Sequence, residues 1–197
     1  MSEANDEQLE WRLPTAVVAP MAGGSLLTKL HKGFAEVSAA GLADPGDAPR
    51  LYGAQASGCA PIVRVVERGG DAVIPERPST IARSLAIGNP ADGAFAARAI
   101  RDTNGWAAAV SDDDLVAAIR LLAETTGVFA ETAGGVTVAG ALALAAAGRL
   151  RADDELVLCI TGNGLKTVEA VAGGLADAPV VAPKLREVVG LVNALDA

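Results

Sequence analysis

Residues 16–30 read AVVAPMAGGSLLTKL, and their pattern decides the fold. Ala16, Val17, Val18 and Ala19 make a short apolar run closed by Pro20, which predicts a buried strand. Met21-Ala22-Gly23-Gly24-Ser25 follows as a loop of small residues. Leu26, Leu27, Leu30, Phe34 and Val37 then recur at helical spacing. The unit is a strand, a glycine loop and a helix. Downstream the same alternation returns. Leu51–Ala54 predicts a strand before a helix carrying Ile62, Val63 and Val66. Residues 69–93 are rich in Gly, Pro, Ser and Asp, and IGNPADG at 87–93 is a strong turn signal. A helix over Ala94–Arg101 leads to a strand at Trp106–Val110. Ser111 is a good N-cap with Asp114 three residues on, and Leu115, Ile119 and Leu122 line one face of the helix that Gly127 ends. A short strand at Val128–Ala130, an Ala/Leu helix to Ala147 and a strand at Leu156–Ile160 complete the series. The remainder reads as helix interrupted by Pro179 and Pro183. Strands alternating with helices predict an α/β fold of three layers, a mostly parallel sheet with helices on both faces. Residues 1–14 read as a leader and 15–197 as the domain.

Composition excludes several functions. The chain has 197 residues, 51% hydrophobic and only 3% aromatic, so its core is built of Ala, Val, Leu and Ile. A net charge of −8, without a basic run, argues against nucleic-acid binding. Cys59 and Cys159 make no CxxC pair and His31 is the only histidine, too few ligands for a zinc site. Both cysteines are expected to pack as small hydrophobes. Asp112-Asp113-Asp114 suits the positive end of a helix dipole rather than a metal. The acidic start MSEANDEQLEW cannot be a signal-peptide n-region, and the longest uncharged stretch, Thr132–Gly148, is shorter than a bilayer span. The expectation is a cytoplasmic protein that contacts neither membrane nor nucleic acid.

Ligands of parallel sheets bind at the carboxyl ends of the strands, where the glycine loops after Ala19 and Ile160 both lie. In Ala22-Gly23-Gly24-Ser25, small residues let backbone N–H groups approach an anion, with the positive end of the next helix behind them. Ser25 adds a hydroxyl. Taken alone, the loop reads first as a tight strand-to-helix turn, since it lacks both a P-loop lysine and GxGxxG. Thr161 follows the last strand, so its hydroxyl would project into the same crevice, or would serve a local turn bond.

Four stretches carry a more specific likeness. VVAPMAGGSLLTKLHKGF (17–34), SLAIGNPADG (84–93), VFAETAGGVTVAGAL (128–142) and VLCITGNGLKTVEAV (157–171) resemble, in order, segments of the pyridoxal-phosphate-dependent threonine synthases. The similarity runs from about Glu7 to Pro183. It implies the fold type II architecture of pyridoxal-phosphate enzymes and, within it, the C-terminal part of the large domain, with residues 1–14 as the end of a helix. It implies pyridoxal 5'-phosphate as cofactor, with Ala22, Gly23, Gly24, Ser25 and Leu26 cradling its phosphate and Thr161 contacting the pyridine nitrogen. Many relatives have GNAGN in the cradle, so Ala22 and Leu26 depart from that pattern, although backbone donors survive both changes. Glu131 lies near the cofactor by the same analogy. The implied reaction converts O-phosphohomoserine and water to threonine and phosphate.

One element of the family is missing. Its Schiff-base lysine lies in an upstream Ser-Phe-Lys-Asp type motif, and none of Lys29, Lys32, Lys166 and Lys184 has that context. The resemblance therefore implies an absent N-terminal half as partner, no catalytic residue in this chain, no metal and no independent catalysis; relatives leave a homodimer open. Two other readings stand beside it: a different fold type II lyase, such as a threonine dehydratase or cysteine synthase, and a non-catalytic phosphate-binding or assembly module. If a half is missing, an apolar surface should lie open beside the cradle.

Overall fold

The computed structural model describes residues 8–43, 48–173 and 179–195. Strands β1 (Ala16–Pro20), β2 (Arg50–Ala56), β3 (Ala107–Val110) and β4 (Leu156–Leu158) form one sheet in the order β3-β2-β1-β4, with every neighbouring pair parallel. The helices are α1 (Ser25–Ala39), α2 (Pro61–Arg68), α3 (Gly93–Asp102), α4 (Asp112–Thr126), α5 (Thr132–Ala146), the single turn α6 (Glu169–Ala172) and α7 (Leu185–Leu195).

Alternation along the strands divides the core between two faces. Val17, Ala19 and Leu51 pack with Leu27 and Phe34 of α1, Ile62 and Val66 of α2, and Ala96 and Ile100 of α3. Val18, Tyr52 and Ala54 point the other way, to Leu115 and Ile119 of α4 and Val136 and Leu144 of α5. The three-layer α/β architecture is therefore the observed one. Helix α5 lacks a polar stripe because it lies between the sheet and α4, with eleven of its fifteen residues buried. A Cβ at Gly140 would stand 2.5 Å from that of Ala54, so the helix rests close on β2.

The ends of α4 follow the sequence closely. Ser111 Oγ accepts from the Asp114 N–H at 3.1 Å, the Asp114 carboxylate accepts from the Ser111 N–H, and Gly127 closes the helix at φ 75°. Asp112 accepts from Thr80 Oγ1 at 2.5 Å and from the Ile81 N–H at 3.0 Å. The acidic triplet thus starts a helix and anchors a neighbouring segment. Among the described residues no cluster of ligands could hold a metal.

Two expectations change. Val128–Ala130 is not a strand. Ala130 makes only an isolated antiparallel bridge to Asn163, because this segment bonds the loop after β4 rather than a sheet edge. The last strand is also shorter than Leu156–Ile160. The Cys159 N–H still donates to Val18 O at 3.0 Å, but the regular ladder ends at Leu158. As an edge strand β4 is half-buried throughout. Of the leader, residues 1–7 lie outside the described residues and Leu9–Trp11 form a turn, with Arg12 paired to Glu155 at 3.2 Å. The C-terminal segment does divide into α6 and α7, with Pro183 just before the second.

Candidate functional site

Because β1 and β4 are adjacent and parallel, the loops that leave them emerge side by side. Val18 pairs with Leu158, four residues before Ala22 and three before Thr161. After β1, Met21 is held by its N–H on Ala54 O at 2.9 Å, and Gly24 sits at the N-cap of α1 with φ 94°. A side chain is disfavoured there twice over, by that backbone conformation and because a Cβ would lie 2.9 Å from Asp92 O. Among the described residues, the backbone N–H groups of Ala22, Gly23, Gly24, Ser25 and Leu26 have no protein acceptor. Free donors at the positive end of a fifteen-residue helix have the chemistry that suits an anion. The Ser25 hydroxyl donates to Asp92 Oδ2 at 2.5 Å.

The second loop is positioned by the start of α5. Glu131 N–H donates to Gly162 O at 3.0 Å, Gly164 N–H donates to Phe129 O at 2.9 Å, and Thr132 N–H donates to Thr167 Oγ1 at 3.2 Å. The Glu131 carboxylate is buried, and Lys166 Nζ donates to its Oε1 at 3.0 Å while standing 2.9 Å from Oε2. Thr132 Oγ1 is buried without a partner among the described residues. Thr161 itself is exposed, and its hydroxyl has no partner among the described residues. It does not follow the strand directly: Cys159 and Ile160 intervene.

Gln55 and Asp92 shape the site but carry no motif. Gln55 is fully buried, and its Nε2 donates to Met21 O at 3.2 Å. Its Oε1 accepts from the N–H groups of Ile62 and Val63 at 2.9 and 3.1 Å. One amide thus fixes the start of the first loop and satisfies the N-terminus of α2. Its sequence signal is a polar side chain among the small residues Gly53, Ala54 and Ala56, one position past the expected Leu51–Ala54 strand. Asp92 belongs to the IGNPADG turn, whose contact with the cradle the sequence does not show. Its N–H donates to Gly23 O at 2.9 Å.

Residues 2–162 match the family model described as "Pyridoxal-phosphate dependent enzyme". The chain belongs to this pyridoxal-phosphate-dependent family. It is 36% identical over 165 residues to the threonine synthase of Methanocaldococcus jannaschii, covering 83% of this chain and 40% of that enzyme. It is 35% identical over 182 residues to the threonine synthase of Mycobacterium leprae, covering 92% and 47%. The chain therefore spans less than half the length of these curated relatives. Among solved structures it resembles the processed form of threonine deaminase isoform 2 from Solanum lycopersicum, with a TM-score of 0.65 at 19% identity, covering 85% of this chain and 45% of that one. It also resembles an L-serine ammonia-lyase from Rhizomucor miehei, with a TM-score of 0.63 at 23% identity, covering 82% and 49%. Both likenesses show the fold, that of the fold type II pyridoxal-phosphate enzymes.

The family's cofactor is an aromatic aldehyde with a phosphate tail, and part of this family member fits it. The free N–H groups of the first loop suit the phosphate, and the unpartnered Thr161 hydroxyl suits a ring nitrogen. The lysines do not suit the aldehyde. Lys29 and Lys32 are exposed on α1, with Lys32 paired to Glu36; Lys166 is held by Glu131; Lys184 is exposed ahead of α7. The cysteines are buried and free. Burial pushes the Cys159 thiol up to about 11, and burial followed by the charge of Glu76 raises that of Cys59. Neither is available as a thiolate nucleophile at neutral pH.

Proposed function

We propose that this chain is the cofactor-phosphate-binding part of a cytoplasmic threonine synthase, whose complete form converts O-phosphohomoserine and water to threonine and phosphate. The observation that carries the reading is the emergence of two complementary loops from adjacent parallel strands: free N–H groups over Ala22–Leu26 and a free hydroxyl at Thr161. The choice among reactions rests on relatives. Threonine synthases match at 34–36% identity over 78–92% of this chain, whereas the deaminase and racemase structures share only its fold at 19–24%. No helix of the described residues is long and apolar enough to cross a membrane.

In this reading each residue has a limited task. Ala22, Gly23, Gly24, Ser25 and Leu26 hold the phosphate through backbone donors, and Gln55 keeps that loop in place from below. Thr161 meets the ring nitrogen with a neutral hydroxyl, which does not force the nitrogen to carry a proton. Bound pyridoxal phosphate supplies an electron sink for charge that develops on substrate carbon. The lysine that carries the cofactor belongs to the part of the relatives' length outside the matched region. Exposed Phe95 and Leu165, one near each loop, are apolar surface for that part to cover.

The test is reconstitution. The chain should release no phosphate from O-phosphohomoserine alone. Mixed with the lysine-bearing N-terminal segment of a threonine synthase, it should do so. Ammonia release from threonine by the same mixture, without phosphate release from O-phosphohomoserine, would assign it to the deaminases. No turnover of either substrate by a stable complex would leave the phosphate-binding module.

A further inference from the structure

The cradle contains a negative charge of its own. Asp92 is the N-cap residue of α3, yet its side chain makes no capping bond to that helix. Asp is among the best N-cap residues, so the departure is informative. The carboxylate reaches instead to Ser25 at the first turn of α1, where Oδ2 accepts the hydroxyl at 2.5 Å. The backbone holds it there: the Asp92 N–H bonds Gly23 O at 2.9 Å, and Asp92 O occupies the space a Cβ on Gly24 would need. A carboxylate thus stands at the same helix end whose N–H groups lack acceptors.

We propose that Asp92 is a built-in counter-anion of the cradle, which occupies the Ser25 hydroxyl and lowers the affinity of the loop for a phosphate dianion. The inference rests on the reading of Ala22–Leu26 as a phosphate seat. Ser25 has one proton to donate. While it is given to Asp92, an incoming phosphate meets backbone donors alone, together with a like charge a few ångströms away. Releasing Ser25 would add a donor but leave Asp92 without its partner. Either way the carboxylate opposes the phosphate, so affinity must be made up by the ring contacts and by the remainder of the enzyme. Asp92 thus lowers the affinity of the loop for any phosphate, and a phosphate ester with a ring to anchor offsets the loss through its other contacts.

The test uses the full 197-residue chain and calorimetric titration with inorganic phosphate and with 4'-deoxypyridoxine 5'-phosphate, which has no aldehyde to react with lysines. Asp92→Asn and Asp92→Ser should each bind both ligands about three- to tenfold tighter than the native chain, the size of a like-charge repulsion at a partly solvated distance. Asp92→Glu, which keeps the charge, should gain nothing. In the Asp92→Asn background, Ser25→Ala should remove part of the gain, because the released hydroxyl is then a donor to the phosphate. Unchanged or weaker binding by the two neutral variants, with native circular dichroism, would overturn the counter-anion while leaving the cradle standing. A gain by Asp92→Glu equal to that of Asp92→Asn would overturn it as well, since shape and not charge would be responsible. Absence of binding by every variant at millimolar ligand would overturn the cradle and the counter-anion together.

Discussion

Gly162 lies directly on the carboxylate of Glu131: a Cβ at Gly162 would stand 1.9 Å from Oε1 and 2.4 Å from Cδ. The backbones of the two residues are also joined, by the bond from Glu131 N–H to Gly162 O. The N-terminus of α5 therefore sets where the Thr161–Gly162 turn can be.

Gly162→Ala is expected to push the turn off its seat, because the obstructing carboxylate is itself fixed by Lys166. The overpacking should lower stability by about 1–3 kcal/mol. Urea unfolding of the variant measures the loss. In a reconstituted enzyme the same variant should lower turnover more than cofactor occupancy, since the phosphate cradle on the neighbouring strand is untouched.

The ion pair between Lys166 and Glu131 predicts an asymmetry. The Lys166 side chain is 62% exposed and the Glu131 side chain 4%. Lys166→Met strands a buried carboxylate, at a cost of about 1–3 kcal/mol once solvent screening at the lysine is allowed for. Glu131→Gln leaves only an exposed ammonium, which water solvates, and should cost less than about 1 kcal/mol. Combining the two should recover most of the loss caused by Lys166→Met. A thermodynamic cycle of unfolding midpoints checks all three expectations, and equal costs for the two single variants would contradict them.

How much of this was legible in the sequence depends on the range of the interaction. The strand at Ala16–Pro20, the helix from Ser25 and the cap at Ser111 are set by local pattern, and they stand where periodicity and capping chemistry put them. The loop before α1 was legible because its small residues are contiguous. The contacts of Asp92 with Ser25 and of Gln55 with Met21 were not, because those partners lie 67 and 34 residues away. Val128–Ala130 misled for a related reason. Its apolar residues suit a strand, but the neighbour that reaches it is a loop, which allows one bridge and no ladder. LVLCI reads as strand along its full length because apolar character does not reveal that β4 is an edge of the sheet.

Gln55 gives the next prediction. Its amide satisfies three backbone groups, Met21 O and the N–H groups of Ile62 and Val63. Gln55→Leu has nearly the same volume but leaves all three without partners in a site closed to water. The expected loss is about 2–4 kcal/mol, the upper part of the range for buried polar groups left unpaired. Thermal melting measures it. Because Met21 O is the last fixed point before the cradle, binding of 4'-deoxypyridoxine 5'-phosphate should weaken in the variant even at temperatures where it remains folded.

The last prediction concerns alkaline stability. Cys159 is 7% exposed, and burial raises its thiol to about 11 from an ordinary value of 9.0. The folded state thus holds the proton more tightly than the unfolded chain does. For a group shifted in this direction, the unfolded chain loses its proton first as pH rises, so the contribution to stability is complete below about pH 9. It is lost progressively between pH 9 and 11, to a limit of about 3 kcal/mol for a shift of this size. Burial raises Tyr52 from its ordinary 10.0 as well, which adds to the loss from about pH 10 upward in the native chain and in Cys159→Ala alike. Cys159→Ala should flatten the part of the stability profile between pH 9 and 11, after allowance for a constant loss from the small cavity. Urea midpoints of the two chains, measured at half-unit steps from pH 7.5 to 10.5, supply the comparison. Parallel profiles would show that the thiol is not held neutral by its surroundings. Alkylation provides an independent readout, because a buried neutral thiol should resist iodoacetamide at pH 8 in the folded chain and react once urea exposes it.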